Sequence, residues 1–332
     1  MVKTTSHNIT GLRLSRRAFG LGLGAVAGAG LLGGPRRAWA HDLSGVTLRV
    51  ADQTGATRAK FEAAGLLKDL PYSIEWSVHP AAVNLHEALK ADAADIGSSA
   101  AAPMVSALAG GSRIKAVAAW DNGGGGTKLI TPKGSTIKSL EDLRGKTVSP
   151  TTRGSIGHYL VLKALQKAGI SPDELKLAFL NPTDAAAAFH AGDLDAWSIW
   201  GIFSARATGT QGAQVLLSGE GVIPGLGILS ATQTSLQDAG KRAAIADFIA
   251  RTEAGYVWSR ANPEAWVAYY AAFTKQPADL VRSIHPEDAN YQPVALDDKL
   301  LAELEETYAT WKAAGVLSGD LDLTQVLHPE LA

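Results

Sequence analysis

The 332-residue chain contains no cysteine and only two methionines. A disulfide framework, a thiolate metal site and a cysteine nucleophile are therefore excluded. The seven histidines beyond residue 40 show no close ligand spacing, which removes the usual sequence signal for zinc. No GxSxG, P-loop or GxGxxG pattern follows a strand-like segment. Acidic clusters such as Glu141-Asp142 and Glu303-Leu304-Glu305-Glu306 read as helix-surface charge, not as an acid–base pair. After the N-terminal region no stretch of 18 uninterrupted apolar residues occurs, so a membrane-spanning helix is not expected there. No cofactor is expected.

Hydrophobic residues make up 46% of the chain and charged residues 19%, enough for a sizeable core. The length fits about two domains. The first 40 residues read as an address: Arg16-Arg17 precedes a Gly/Ala-rich uncharged stretch from Gly20 to Gly34, and Pro35-Arg36-Arg37 leads to Ala38-Trp39-Ala40. This is the pattern of a twin-arginine export signal cleaved after Ala40. Cleavage would remove six of the 31 basic residues and no acid, leaving 25 against 32 acidic residues, a formal charge of −7. Such a body suits neither nucleic acid nor anionic lipid.

Beyond the signal, strands alternate with helices. Val46–Ala51, Tyr72–Trp76, Ala94–Ser99 and Ile114–Trp120 read as strands, with helices after the first three. Gly123-Gly124-Gly125-Gly126 breaks the pattern. A second run follows, with strands at Lys128–Thr131, Lys146–Ser149, Lys176–Leu180, Ala196–Trp200 and Gln214–Leu217. Gly227–Thr232 reads as a return strand, and 238–317 as helical. βαβ spacing of this kind predicts mostly parallel sheets. The predicted body is two-lobed: 41–122 with 227–332 in lobe 1 and 123–226 in lobe 2, crossing near 122–127 and 222–228.

The order of elements resembles the periplasmic substrate-binding proteins of ABC importers, of the aliphatic sulfonate, taurine and nitrate type. The likeness runs over nearly all of 45–331. Its best pieces are Ala94-Asp95-Ile96-Gly97-Ser98-Ser99, Gly154-Ser155 with His158-Tyr159-Leu160, and Asp193-Leu194-Asp195-Ala196-Trp197 with Trp200. The resemblance implies a type II periplasmic binding protein fold, two α/β lobes on a hinge with the ligand in the cleft. It also implies a non-enzymatic, periplasmic protein, expected as a monomer, that captures a small organic anion such as a sulfonate and delivers it to an inner-membrane permease. The acid and proline that often follow the second tryptophan in sulfonate binders are Gly201 and Ile202 here. Rivals of the same fold are a nitrate, taurine or pyrimidine binder, a desulfinase, whose family chemistry needs a cysteine, and a cytosolic pyrimidine synthase.

Three loops end a strand and open a helix with small residues: Gln53-Thr54-Gly55, Gly97-Ser98-Ser99 and Thr152-Arg153-Gly154-Ser155. Free N–H groups at helix starts hold anions, and ligands sit beyond the carboxyl ends of strands in such sheets. Plain helix capping is the competing reading. Arg153 could fork an oxyanion or stand in solvent, and His158 could donate to the anion or pack. Trp120, Trp197, Trp200 and Phe203 are candidates for an apolar wall or for core. Asp121 could recognise an amine or cap the glycine turn. A tail that is neutral or bulky is expected over taurine, because Gly201 removes a possible amine partner.

Overall fold

The computed structural model describes residues 42–331; the expected export signal and its cleavage after Ala40 lie outside the described residues. Strands β1 (Thr47–Gln53), β2 (Ser73–His79), β3 (Ile96–Ala100) and β4 (Ile114–Asp121) come first. β5 (Thr127–Thr131), β6 (Thr147–Ser149), β7 (Lys176–Leu177), β8 (Ala196–Trp200) and β9 (Gln214–Ser218) form the middle of the chain. β10 (Leu226–Thr232) and β11 (Gln292–Val294) follow. They assemble two sheets, ordered β11-β4-β10-β3-β1-β2 and β7-β6-β8-β5-β9. The chain thus leaves the first sheet after Asp121, builds the second, and returns at Leu226.

Both sheets are mixed, where mostly parallel ones were expected. β5 and β10 each arrive from the other sheet and insert antiparallel beside strands that are otherwise parallel. The short strand β11, within a region expected to be all helical, pairs antiparallel with β4 and adds an edge. A helix at Gly201–Thr210 was also unforeseen; its run of small residues has no apolar stripe to announce it.

One device occurs in both sheets. Asp95, 1% exposed at the entry to β3, accepts from the Arg49 backbone N–H at 2.8 Å and pairs with the Arg49 guanidinium and the Lys241 ammonium at 2.7 and 2.8 Å. Asp195 stands at the entry to β8 and accepts from the Thr147 N–H at 2.8 Å. In each case an aspartate side chain continues the ladder by one bond past the strand end, fixing register. Two of the three pieces that carried the resemblance, around Ala94-Asp95 and Leu194-Asp195, therefore hold strands together.

The crossings touch each other. Asn122 donates to the Gly225 carbonyl at 3.1 Å, and Gly219 donates to the Thr127 carbonyl at 2.8 Å. Gly124 has φ +80, and a Cβ there would stand 2.6 Å from the Ile223 carbonyl oxygen. Only glycine permits that approach.

C-terminal helices bridge the two sheets rather than covering the first alone. Helix Asp298–Ala313 packs on helix Ala101–Ala109, while its Trp311 ring lies 5.5 Å from that of Tyr159 in helix Ile156–Ala168. On the opposite side helix Ala278–Ala289 packs on helix Gly201–Thr210, with Leu280 and Ile284 in one apolar cluster with Ala205 and Ile202. Lys128 of β5 reaches Glu287 at 2.7 Å. The C-terminal helices thus contact elements of both sheets.

Candidate functional site

A cavity of about 260 Å³ lies between the two sheets, at the carboxyl ends of β1, β3, β4 and β8. It lies just below the ~300–1,000 Å³ range of small-molecule pockets, so it fits a small ligand.

Helix starts dominate its wall. Helices Ala82–Lys90, Ala101–Ala109 and Gly201–Thr210 begin at Ala81, Ala100 and Trp200, and none of these N-cap residues supplies a side-chain cap. Ala82, Ala100, Gly201 and Ile202 line the cavity. Of the helices that begin elsewhere, those after Asn181, Asp238 and Asp297 are capped by these side chains, whereas those after Asn262 and Pro277 are not. An uncapped start leaves N–H donors and the positive end of the helix dipole facing the space before it.

Two further helix starts at the cavity behave differently: Ser155 caps helix Ile156–Ala168 with its own side chain, and the start after Gly55 is met by a carboxylate. Asp52, 2% exposed, accepts from Thr57 N–H at 3.2 Å and Arg58 N–H at 2.8 Å. A carboxylate already occupies the donors expected of the Gln53-Thr54-Gly55 loop. Burial lifts the Asp52 pKa to about 6 against those hydrogen bonds. Gln53 and Thr54 line the cavity, and Gly55, at φ +77, forms the turn beneath them.

Of the other sequence candidates, Ser98, Ser99, Ser155, Trp200 and Phe203 line the cavity. The Ser99 hydroxyl donates to the Ala100 carbonyl at 3.1 Å and meets His86 Nε2 at 2.8 Å. The Ser155 hydroxyl accepts from His158 N–H at 3.1 Å and donates to the Pro150 carbonyl at 3.1 Å. The remaining candidates do not line it. The Arg153 side chain is exposed and its guanidinium lies 4.3 Å from the centre of the Phe179 ring. His158 is 1% exposed, accepts from Gly154 N–H at 3.2 Å, and is wedged between Phe179 and Trp311. Burial, then the nearby Arg153 charge, pulls its pKa to about 4, so it is neutral. Thr152 lies half-buried beside this turn. Trp197 is core, its Nε1 donating to Thr151 Oγ1 at 3.3 Å. Trp120 is core as well, one layer behind the cavity, where it backs the Tyr256 ring at 5.7 Å. Asp121 accepts from Gly123 N–H at 2.7 Å and so caps the glycine turn.

Sequence reasoning missed Lys60, Tyr256, Trp266 and Asp288, all of which line the cavity. Lys60 is 9% exposed, and its ammonium lies 4.2 Å from the Tyr256 ring centre and 5.2 Å from that of Trp266. Burial pulls its pKa to about 8 while the Asp288 charge opposes that fall. Asp288 is partly buried and lines the cavity, and burial pushes its pKa to about 6. A visible signal existed for Lys60: with Ala56, Ala63 and Ala64 it falls on the apolar face of its helix.

The Asp288 pKa has a consequence for stability. Its folded value lies above the unfolded one near 4, so the stability it contributes is complete below pH 4 and is lost as pH rises through 6. An Asp288→Asn variant should therefore gain on the wild type by about 1.4 kcal/mol per pH unit between pH 4 and 6, read by urea unfolding. A difference that stays constant over that range would mean the carboxylate is solvated.

Two sheets joined by paired crossings, with helix starts converging on the space between, define the two-lobed periplasmic binding protein fold. Residues 75–266 match the family described as NMT1/THI5 like, and the chain belongs to that family. It is 32% identical over 197 residues to a protein of Escherichia coli (strain K12) named as an aliphatic sulfonates-binding protein, covering 58% of this chain and 61% of that one. Identity to the taurine-binding periplasmic protein of the same organism is 28%, over 48% of this chain and 50% of the relative. The chain thus spans about three fifths or less of the length of the curated relatives it matches. In fold it is similar to the alkanesulfonate-binding protein SsuA from Xanthomonas axonopodis pv. citri bound to MOPS, with TM-score 0.79 at 23% identity, over 85% of this chain and 98% of that one.

Proposed function

We propose that this protein is the exported solute-binding component of an ABC importer, that it binds a small organic anion between its lobes without transforming it, and that the anion is an alkyl or aryl sulfonate. The observation that carries the reading is the convergence of three uncapped helix starts on one cavity. A sulfonate is ionised at all physiological pH and accepts hydrogen bonds through three oxygens without donating any. Neutral N–H donors match it, and each such charge-assisted bond contributes about 1.5–3 kcal/mol. The names of the relatives point the same way. The partners in this reading are the sulfonate and an inner-membrane permease. The location is the periplasm, reached as a monomer by the twin-arginine route.

Calorimetry against alkyl sulfonates, aryl sulfonates, taurine, sulfate, nitrate and a pyrimidine tests the ligand class. Tight binding of nitrate or the pyrimidine with every sulfonate silent overturns it, and turnover of the ligand by mass spectrometry overturns the binding-only role.

Parting of the lobes would separate Ile202 and Ala205 from Leu280 and Ile284 and break Lys128–Glu287. A ligand that binds only the closed state draws the population toward it. X-ray scattering should show a smaller radius of gyration with saturating sulfonate than without, and equal radii would refute hinge closure. For export, Arg16→Lys with Arg17→Lys should retain a fused reporter in the cytoplasm; undiminished periplasmic reporter refutes the twin-arginine route.

A further inference from the structure

The Lys60 ammonium and the Asp288 carboxylate both face the cavity, and among the described residues neither makes an ion pair or hydrogen bond. Each lies in the other's field without contact. Tyr256 and Trp266 offer ring faces to the ammonium, which attract its charge but leave its three N–H donors unmet. Asp52 makes no contact with Lys60; its two oxygens each accept one backbone N–H, from Thr57 and Arg58.

A buried charge without a partner is costly. A ligand whose tail brings only an anion satisfies Lys60 and leaves Asp288 stranded; one that brings only a cation does the reverse. A tail that brings both on one carbon satisfies the two together. The smallest common group of that kind is an α-ammonium carboxylate. We infer that the cavity is built for a sulfonated α-amino acid, with the sulfonate on the uncapped helix starts, the ligand carboxylate on Lys60 and the ligand ammonium on Asp288. This rests on the sulfonate reading above and changes its tail: Gly201 does remove one acid near the ligand, but Asp288 supplies another from the C-terminal helices.

Four probes test it in the wild-type protein by calorimetry. L-cysteate carries all three groups, taurine lacks the carboxylate, 3-sulfopropanoate lacks the ammonium, and ethanesulfonate lacks both. L-cysteate should bind at least about tenfold tighter than either singly truncated probe. Ethanesulfonate binding as tightly as L-cysteate overturns the inference while leaving the sulfonate reading intact. Lys60→Met should erase the advantage of L-cysteate over taurine, and Asp288→Asn its advantage over 3-sulfopropanoate, each with thermal unfolding as the check on folding. Retention of both advantages in the folded variants also overturns it. L-aspartate separates the two readings: if no sulfonate binds but L-aspartate does, and weakens in both variants, the sulfonate reading fails and the amino-acid end stands. Silence from L-aspartate and every sulfonate overturns both.

Discussion

A Gly225→Ala variant should unfold about 3 kcal/mol more easily than the wild type, at a Tm roughly 6–12 °C lower. A Cβ at that position would stand 2.2 Å from the Gly124 nitrogen, 2.4 Å from the Gly123 nitrogen and 2.5 Å from Asp121 Oδ1. Two of these atoms are backbone, and the third is held by its hydrogen bond to Gly123, so no flexible side-chain end can swing aside. The methyl group must push the two crossings apart, which also strains the bond from Asn122 N–H to the Gly225 carbonyl. Gly221→Ala is the control. It lies in the same return segment at φ +66 with open space around its Cβ, so it should lose only the backbone strain, about 1 kcal/mol. Urea unfolding of both variants decides the matter. A Gly225→Ala protein as stable as Gly221→Ala would mean the crossings are not packed backbone on backbone.

The glycine run at 123–126 announced the first crossing in sequence, because four glycines cannot hold a regular element. Its partner at Gly219 and Gly225 was less legible, since isolated glycines mark turns of every kind and only the folded chain shows which two meet. The strand order followed the same division. β1 to β3 alternate or end in small residues and were readable locally, whereas the antiparallel insertion of β5 and β10 is a property of where the chain crosses. At the site, the loops ending in Ser98-Ser99 and Ser155 were found because small residues between a strand and a helix have a mechanism. The same reasoning oversold Arg153 and His158, which sit in the right loop but spend their side chains on Phe179 and on the turn itself. Ala81, Ala100 and Trp200 open helices without a capping side chain, but so do Asn262 and Pro277, so an absent cap points to a site only where the fold turns it toward a cavity. Asp288 could not be read at all, because it is brought to the same cavity as Lys60 only by the C-terminal helices, more than 200 positions along the chain.

Those C-terminal helices carry the second large effect. Trp311→Ala should cost about 4 kcal/mol of stability, in the range of ~3–5 kcal/mol for removing a buried tryptophan. Trp311 is 0% exposed and stands where three elements meet: its Nε1 donates to the Ala102 carbonyl at 3.3 Å, and its ring lies 5.0 Å from His158 and 5.5 Å from Tyr159. Ala102 belongs to the first turn of helix Ala101–Ala109, one of the three uncapped starts. Truncating Trp311 therefore opens a void directly behind a turn that the ligand is proposed to use, and sulfonate affinity should fall along with stability. Trp311→Phe separates the two contributions. It keeps most of the ring and loses only the Nε1 hydrogen bond, a change of about 1 kcal/mol, and should bind nearly as well as the wild type. Denaturant unfolding and calorimetry with ethanesulfonate measure both quantities on each variant. If Trp311→Ala unfolds within 1 kcal/mol of the wild type, helix Asp298–Ala313 is not the strut that holds helix Ala101–Ala109 against the second lobe. If it is destabilised as expected but binds with unchanged affinity, the first turn of that helix does not hold the anion, and the head group must rest on the starts at Ala82 and Gly201 alone.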